Sequence, residues 1–337
     1  MASVPNFSPD QASARAADAA HAVARTEVAA GLSRSQKEIS PRWFYDERGS
    51  ELFERITRLP EYYLFREERA LLREFVPGWI REMRPAALVE LGAGAATKTR
   101  ILLDAFDGAT DGARYIPVDI SEDFLKRAAD SLREEYPALE IRPLVADFTR
   151  PLPLPDALPR PAVFALLGST IGNFGPRAAV ELLTRIASRM REGDRFLLGT
   201  DLHKDRSVLE AAYNDQDGVT AAFNLNALAV LNRELGTDFD PRAFRHRAFY
   251  DGGTRRIEMH LVAVRDLTVT VPGAGRFTLA AGETIRTEIS CKYDRARVAE
   301  MFGEAGLILD DWVTGGGPEP PFALAVGRTA ALGRAAD

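Results

Sequence analysis

The stretch Ala87-Leu-Val-Glu-Leu-Gly-Ala-Gly-Ala-Ala-Thr-Lys-Thr-Arg100 decides the fold class. An apolar run ends in an acid, two glycines follow one residue apart, and Ile101, Leu102 and Ala105 continue at helical spacing. Buried strand, tight turn and helix N-terminus in that order form the first unit of a nucleotide-type α/β fold. Gly92 and Gly94 let the backbone turn sharply and approach a ligand without Cβ atoms in the way. Glu90, at the strand end, is expected to point a carboxylate into the crevice. The third position of the dinucleotide fingerprint is Thr97 rather than glycine, so that match is incomplete. Taken alone, the turn fits a structural role or any of several nucleotides.

Outward from this turn the alternation is regular. Residues 115–119 read as a second strand ending in an acid. Ser121 then caps a helix with Phe124, Leu125, Ala128 and Leu132 on its inner face. Residues 141–145 read as a third strand, followed by Asp147 and Phe148. A proline-rich connection leads to a fourth, 163–167, which opens into Gly168-Ser-Thr-Ile-Gly-Asn173-Phe174. A helix around Leu182, Leu183, Ile186 and Met190 precedes a fifth strand, 194–201. Repeats of this kind give a parallel sheet with right-handed crossovers. Residues 309–313 and 322–326, joined by a Gly/Pro loop, read as an antiparallel hairpin at the sheet edge.

The flanking text is different. Residues 1 to about 35 are Ala-rich, with only Ala19, Ala20, Val23 and Ala24 as an apolar stripe, which reads as a loosely docked helix or partly disordered arm. Leu52, Phe53 and Ile56 recur at helical spacing before Pro60. Tyr62 and Tyr63 follow outside a helix, where adjacent rings serve packing more often than chemistry. Helical text resumes from Glu67 to about Met83, and Pro77 is expected to kink or divide it. Beyond His203 the α/β periodicity breaks. Residues 211–236 hold one or two helices with unusually many Asn. Residues 245–250, 255–264, 267–271 and 284–293 alternate with period 2 between Gly and Pro turns, the pattern of an antiparallel sheet. They read as an inserted substrate unit, after which 298–306 returns to a helix.

Composition excludes several classes. The net charge of −6 argues against a long basic groove for nucleic acid. Cys291, the single cysteine, excludes an intrachain disulfide framework and fits a reducing compartment; its expected role is a small buried filler. No apolar run approaches the length of a membrane span. The first residues carry Asp10, Asp18 and Glu27 and lack an apolar signal core. A cytoplasmic monomer acting on a small molecule, without membrane or nucleic acid, is the expectation. His21, His203, His246 and His260 lack ligand spacing with Cys or with one another, so no metal is expected. His260, beside Met259 on a strand, reads as structural.

Glu90, Asp119 and Asp147 close successive strands, the end at which open α/β sheets bind ligands. An acid after the second strand suits two ribose hydroxyls, because a carboxylate accepts both hydrogen bonds. Asp147 with Phe148 suits an adenine, the acid accepting from the exocyclic amine and the ring packing on the base. Each acid alone is equally a helix cap or a solvated loop carboxylate; three in register make a crevice. A closing antiparallel hairpin belongs to a methyltransferase sheet, whereas a nicotinamide dehydrogenase closes with another parallel repeat. That tilts the cofactor toward S-adenosylmethionine (SAM).

Longer motifs carry a more specific resemblance. Trp43-Phe-Tyr-Asp46 with Gly49-Ser50, Leu59-Pro-Glu-Tyr-Tyr63, Glu90-Leu-Gly-Ala-Gly94, Leu167-Gly-Ser-Thr-Ile-Gly-Asn173, Gly199-Thr-Asp201, Gly218-Val-Thr-Ala-Ala-Phe-Asn224 and Thr287-Glu-Ile-Ser-Cys-Lys292 resemble the SAM-dependent histidine Nα-methyltransferases that open ergothioneine biosynthesis. The resemblance covers roughly residues 40–328. It implies transfer of three methyl groups to the α-amine of L-histidine, giving hercynine, the trimethyl betaine. It also implies that Gly92, Lys98, Asp119, Asp147 and Phe148 contact SAM. Tyr62, Asn173, Tyr213, Glu288 and Ser290 are implied to hold histidine, with Gly168 and Met259 lining its pocket. Asn173 and Tyr213 are the candidate catalytic residues, anchoring the amino and carboxylate groups and aiming the amine lone pair at the sulfonium methyl. An imidazole offers one donor and one acceptor, or two donors when charged, so Glu288 and the Ser290 hydroxyl can pair with its two nitrogens.

The expected architecture is an α/β, Rossmann-like SAM methyltransferase sheet with a terminal antiparallel hairpin, plus an inserted α+β substrate-binding unit. Its expected boundaries are 1–39 for the N-terminal arm, 40–66 for part of the substrate unit and 67–202 for the methyltransferase domain. Residues 203–292 form the insert, and 293–337 return to the methyltransferase domain. Three rival functions fit the residues less well. A SAM-dependent N-methyltransferase for another amino acid or an aromatic amine is disfavoured by Met259 and Glu288, since an indole leaves the Ser290 end of the polar pair unmatched. A nicotinamide oxidoreductase is disfavoured by Thr97 and the hairpin, and a non-catalytic SAM-binding protein by the intact polar set.

Overall fold

The Ala87–Leu91 and Ala162–Leu166 strands are buried at every residue. Strands apolar on both faces belong in the middle of a parallel sheet covered by helices on both sides, and the computed structural model places them there. It describes residues 9–94, 98–108, 110, 112–155, 157–315 and 321–330. The chain divides into two compact units. One comprises Met1–Tyr62, Ser207–Tyr250 and Ile257–Ile289; the other Tyr63–Arg206, Asp251–Arg256 and Ser290–Asp337.

The second unit is built on an eight-stranded sheet. Its order is Leu307–Thr314, Phe322–Thr329, Arg195–Asp201, Ala162–Leu166, Ala87–Leu91, Arg114–Asp119 and Glu140–Ile141, with Leu144–Val145 also paired to Arg114–Asp119. The middle strands are parallel, with Glu90 level with Pro117 on one side and Ala165 on the other. The hairpin closes one edge antiparallel, Leu324 opposite Gly199 and Val313 opposite Leu324. The loop between its strands, and Thr97 at the glycine turn, lie outside the described residues, as does the side chain of Phe124.

Two expectations for this unit need correction. The third strand is not continuous over 141–145: Glu140–Ile141 and Leu144–Val145 are separate two-residue strands flanking Arg142-Pro143. Pro143 has no N–H to give to the ladder, so pairing breaks there. The helix before the glycine turn starts earlier than expected and is not divided. It runs unbroken over Tyr63–Met83 with Pro77 inside, so Tyr63 is helical. Leu64, Leu71, Leu72, Val76 and Ile80 form one buried stripe on both sides of the proline, and this packing outweighs the single hydrogen bond that Pro77 forfeits.

The first unit corrects the reading of the N-terminal arm. Pro9–Leu32 is a helix whose Ala24, Val28 and Leu32 are buried. Arg25 Nε donates to the Leu235 carbonyl at 3.0 Å, tying this helix to Val219–Leu235. A four-stranded sheet follows in the order Lys37–Glu38, Thr284–Cys291, Arg256–Ala263, Phe244–Asp251. Its Lys37–Glu38 strand, hidden in the arm, joins in parallel, Lys37 level with Ile285. Leu267–Val271 does not enter this sheet; it pairs antiparallel with Gly275–Leu279 as a separate hairpin.

The Asn-rich segment becomes the helix Val219–Leu235, capped at both ends by glycines at left-handed φ, Gly218 at 68° and Gly236 at 70°. Its asparagines tie other segments down. Asn226 donates to Asp46 at 2.7 Å, and Asn232 both accepts from the Phe239 N–H at 2.9 Å and donates to its carbonyl at 2.7 Å.

Candidate active site

The strand ends of the larger sheet gather four of the five residues expected at the nucleotide. Gly92 and Gly94 have φ of 70° and 50°, a region that side-chain-bearing residues avoid. A Cβ at Gly92 would stand 3.6 Å from the Phe148 ring, so the turn and that ring face each other directly. Asp119 Oδ1 accepts from the Ser121 N–H at 3.0 Å, and its other oxygen lies 3.4 Å from the Gly94 nitrogen. The exposed Asp147 accepts from the Thr149 N–H at 2.9 Å. Each carboxylate thus keeps lone pairs for a ligand. Left-handed glycines, an acid after the second strand and a half-buried ring are a donor set that fits an adenosyl group. Lys98 is held elsewhere. It pairs with the buried Glu68 of the Tyr63–Met83 helix and lies 5.6 Å from the Phe65 ring centre.

Glu90 does not open into this crevice. It is 3 % exposed and accepts from Thr99 Oγ1 at 2.8 Å and the Tyr115 hydroxyl at 2.7 Å. Burial pushes its carboxyl above the usual range, while the two hydroxyls pull the other way. Its side chain sits inside the sheet because parallel strands hide both faces.

The loop after the Ala162–Leu166 strand carries Gly168 and Asn173. Gly168, at φ 77°, donates its N–H to Glu68 at 2.7 Å, and a Cβ there would lie 3.2 Å from Lys98 Nζ. Ser169 is held at φ 56°, a strained position for a non-glycine residue, and its hydroxyl accepts from the Asp201 N–H at 2.9 Å. A Cβ on Gly172 would meet the Cys291 carbonyl at 3.0 Å and Ser290 Oγ at 3.4 Å. The Tyr293 hydroxyl donates to the Ile171 carbonyl at 3.1 Å, and Cys291 Sγ lies 3.5 Å from that of Phe174. The Ser290-Cys291 segment therefore packs on the turn at Gly172, one residue before Asn173, and Cys291 is buried there.

Behind Ser290 lies a buried ionic cluster. Lys292 Nζ is 2.7 Å from Asp201 and 2.8 Å from Ser290 Oγ. Asp201 also pairs with Lys204 and accepts from the Tyr63 hydroxyl at 2.9 Å. Lys204 Nζ donates to that hydroxyl at 2.6 Å. Burial, and to a lesser degree the Lys292 charge, lower Lys204 to about 8 against the pull of Asp201.

In the other unit, Tyr62 and Tyr213 meet edge to face, ring centres 6.4 Å apart. Tyr62 also contacts Phe53 at 6.4 Å, Phe223 lies 5.9 Å from Phe53 and 5.6 Å from Tyr45, and Phe44 lies 4.6 Å from Phe223, so these six rings form one continuous cluster. His246 Nε2 lies 2.9 Å from the Tyr213 carbonyl, and Nδ1 is 2.9 Å from Asn224 Nδ2, which can only donate. The ring is therefore neutral, with its proton on Nε2, and burial lowers its pKa. Met259 is buried, and its carbonyl accepts from the Thr287 hydroxyl at 3.1 Å. Its neighbour His260 contacts Glu258 at 2.8 Å and Thr284 at 3.1 Å and stacks on Phe249. Glu288 is half-buried on the Thr284–Cys291 strand, two residues before Ser290 and so on the same strand face. Among the described residues no group of three His, Cys, Asp or Glu is placed to hold a metal ion.

The model of the histidine-specific, SAM-dependent methyltransferase family matches residues 24–322. The chain belongs to that family. It is 44% identical over 313 residues to a histidine N-alpha-methyltransferase of Mycolicibacterium smegmatis, covering 92% of this chain and 97% of that protein. A protein of the same name from Mycobacterium tuberculosis is 44% identical over 88% of this chain and 92% of its own. Ergothioneine biosynthesis protein 1 of Schizosaccharomyces pombe is 30% identical over 74% of this chain, which spans 33% of that longer protein.

Several polar residues packed inside this SAM-dependent methyltransferase lie outside the expectations from sequence. Glu68 left a signal: with Leu64 and Leu72 at i−4 and i+4 it is an acid in the apolar stripe of a helix. Lys292 extends the alternation Glu288, Ser290, Lys292 along one strand face. Lys204 and Asn224 give no such pattern, because the Tyr63 hydroxyl that Lys204 meets and the His246 and His260 partners of Asn224 are distant in sequence. Among the methyltransferase's described residues, no helix is long and apolar enough to cross a membrane.

Proposed function

We propose that this methyltransferase moves methyl groups from SAM to the α-amine of L-histidine three times, producing hercynine at the entry to ergothioneine biosynthesis. The observation that carries this reading is the 44% identity, over 97% of its length, to a relative named for the histidine α-nitrogen. The fungal relative's name supports the pathway. We assign SAM to the 67–202 and 293–337 regions and histidine to 40–66 and 203–292. The enzyme is read as a cytoplasmic monomer with no nucleic-acid or membrane partner, on the strength of its acidic charge and single cysteine.

When bound, SAM supplies a methyl group on a sulfonium, so positioning and desolvation are what the protein must add. Asp119 accepts from the ribose hydroxyls, Asp147 accepts from the adenine amine, and Phe148 packs on the base. Gly92 keeps the backbone close, and Lys98 is steadied by Glu68. Glu288 and Ser290 take the two imidazole nitrogens over Met259 and Gly168. Asn173 and Tyr213 hold the amino and carboxylate groups, with Tyr62 packed on Tyr213. The ring cluster that Tyr62 joins offers π-faces, which favour a growing alkylammonium.

Incubation with SAM and each amino acid in turn, read by mass spectrometry, tests the proposal. Mono-, di- and trimethylated histidine are expected. Methylation of another amino acid with histidine untouched would overturn it.

A further inference from the structure

Ser290 is 3 % exposed and Lys292 4 %, and the ammonium lies 2.8 Å from the hydroxyl oxygen. An ammonium only donates, so Ser290 Oγ accepts on that side and its own proton is turned away from Lys292. A serine hydroxyl is otherwise ambivalent, able to give or take with whatever it meets. The surroundings add charge to direction. Asp201, Lys204 and Tyr63 face Lys292 from the Arg195–Asp201 strand, the segment after it and the Tyr63–Met83 helix. Asp201 thus faces both Lys292 and Lys204, and the Lys292 ammonium is the group that stands directly behind Ser290.

We propose that Lys292 is a positioning residue that fixes Ser290 as a hydrogen-bond donor and thereby makes the enzyme select neutral imidazole over imidazolium. This rests on the reading that Ser290 and Glu288 meet the two ring nitrogens. Neutral imidazole has one N–H for Glu288 and one lone pair for Ser290. Imidazolium has two N–H groups, and the second would run into the hydroxyl proton and the Lys292 ammonium behind it. Glu288 alone, being anionic, would favour the cation; Lys292 reverses that preference.

The test is calorimetric binding of histidine to the intact protein saturated with S-adenosylhomocysteine, at a series of pH values between about 7.5 and 5.5, spanning the imidazole titration near about 6.5. Lys204, at about 8, titrates above that window. The wild-type dissociation constant should rise roughly tenfold per unit below the imidazole value, as the neutral fraction falls. Lys292→Met should weaken binding at neutral pH and flatten the acid limb to less than about threefold across the window. Lys292→Arg, which keeps a donor-only cation, should restore the slope. A merely structural role would weaken binding equally at every pH. Wild-type binding that does not change with pH overturns the proposal even if Lys292→Met fails to fold, as does a Lys292→Met slope equal to wild type. Ser290→Ala separates the layers: unchanged histidine affinity would overturn the imidazole reading and this inference together. Lost affinity with an unaltered Lys292→Met slope would overturn the inference alone.

Discussion

Asp119 and Asp201 both close strands of the same parallel sheet, yet they do different work. Asp119 is half-buried and bonds to a backbone N–H two residues on, Ser121 at 3.0 Å. Asp201 is wholly buried and holds Lys204, Lys292 and the Tyr63 hydroxyl, the last 138 positions away in sequence. The same sequence signal, an acid at a strand end, becomes a half-buried acceptor of backbone N–H groups in one place and a charge anchor in the other. What decides is whether distant side chains arrive to enclose it.

Substitution should expose that contrast most strongly in stability. Asp201→Ala leaves two buried ammonium groups without their carboxylate, and loss of one side of a buried pair costs about 3–5 kcal/mol. Urea denaturation should show a loss of that size, whereas Asp119→Ala should stay within about 1 kcal/mol. Equal losses would erase the distinction.

Binding sharpens the comparison from the ligand side. Asp119→Ala should weaken SAM about 10–100-fold, as expected for charge-assisted hydrogen bonds worth about 1.5–3 kcal/mol. Histidine affinity, measured with the cofactor site saturated, should change little. Glu288→Ala should do the reverse, lowering histidine affinity by a similar factor with SAM titrations unchanged. If either variant loses both ligands alike, its carboxylate is not dedicated to one of them.

The smallest expected effect concerns His246. Burial keeps its imidazole neutral, with its Nε2 proton donated to the Tyr213 carbonyl. A group whose folded pKa is depressed contributes stability above its unfolded value of about 6.5 and loses it as pH falls further. His260 is shifted in the same direction by its own burial. Unfolding free energy should therefore decline on acidification below that value, and His246→Gln should remove part of the decline. A variant as acid-sensitive as wild type would show that His246 is not held neutral. The same variant should loosen histidine binding modestly, because Tyr213 loses its backbone tether.

Much of the larger unit was readable before any coordinates. Five apolar strands, a double-glycine turn and a closing hairpin each follow from a local rule about burial or backbone freedom. Pro143 is legible too, because its missing N–H interrupts the strand run. The first unit was harder. Lys37–Glu38 is too short for any periodicity to announce, and the stripe of the first helix is sealed by Val28 and Leu32, beyond the thin Ala-rich part. The site shows the same division. Asp119, Asp147 and Phe148 declare themselves by position after strands. Glu90 declares itself in the same way and is instead consumed by Tyr115 and Thr99, because a strand-end carboxylate one residue earlier turns into the sheet. The contacts of Asn224 with His246 and of Lys204 with Tyr63 do not show in the sequence, since tertiary packing alone brings those partners together.

The position of the transferred methyl groups tests histidine Nα-methylation most directly. With carbon-13-labelled methyl groups on SAM and L-histidine as acceptor, the product can be read by nuclear magnetic resonance. Three equivalent methyl groups on the α-nitrogen, with both ring nitrogens unmodified, are the expected result. A methyl group on the imidazole ring, with the α-amine left free, would contradict it.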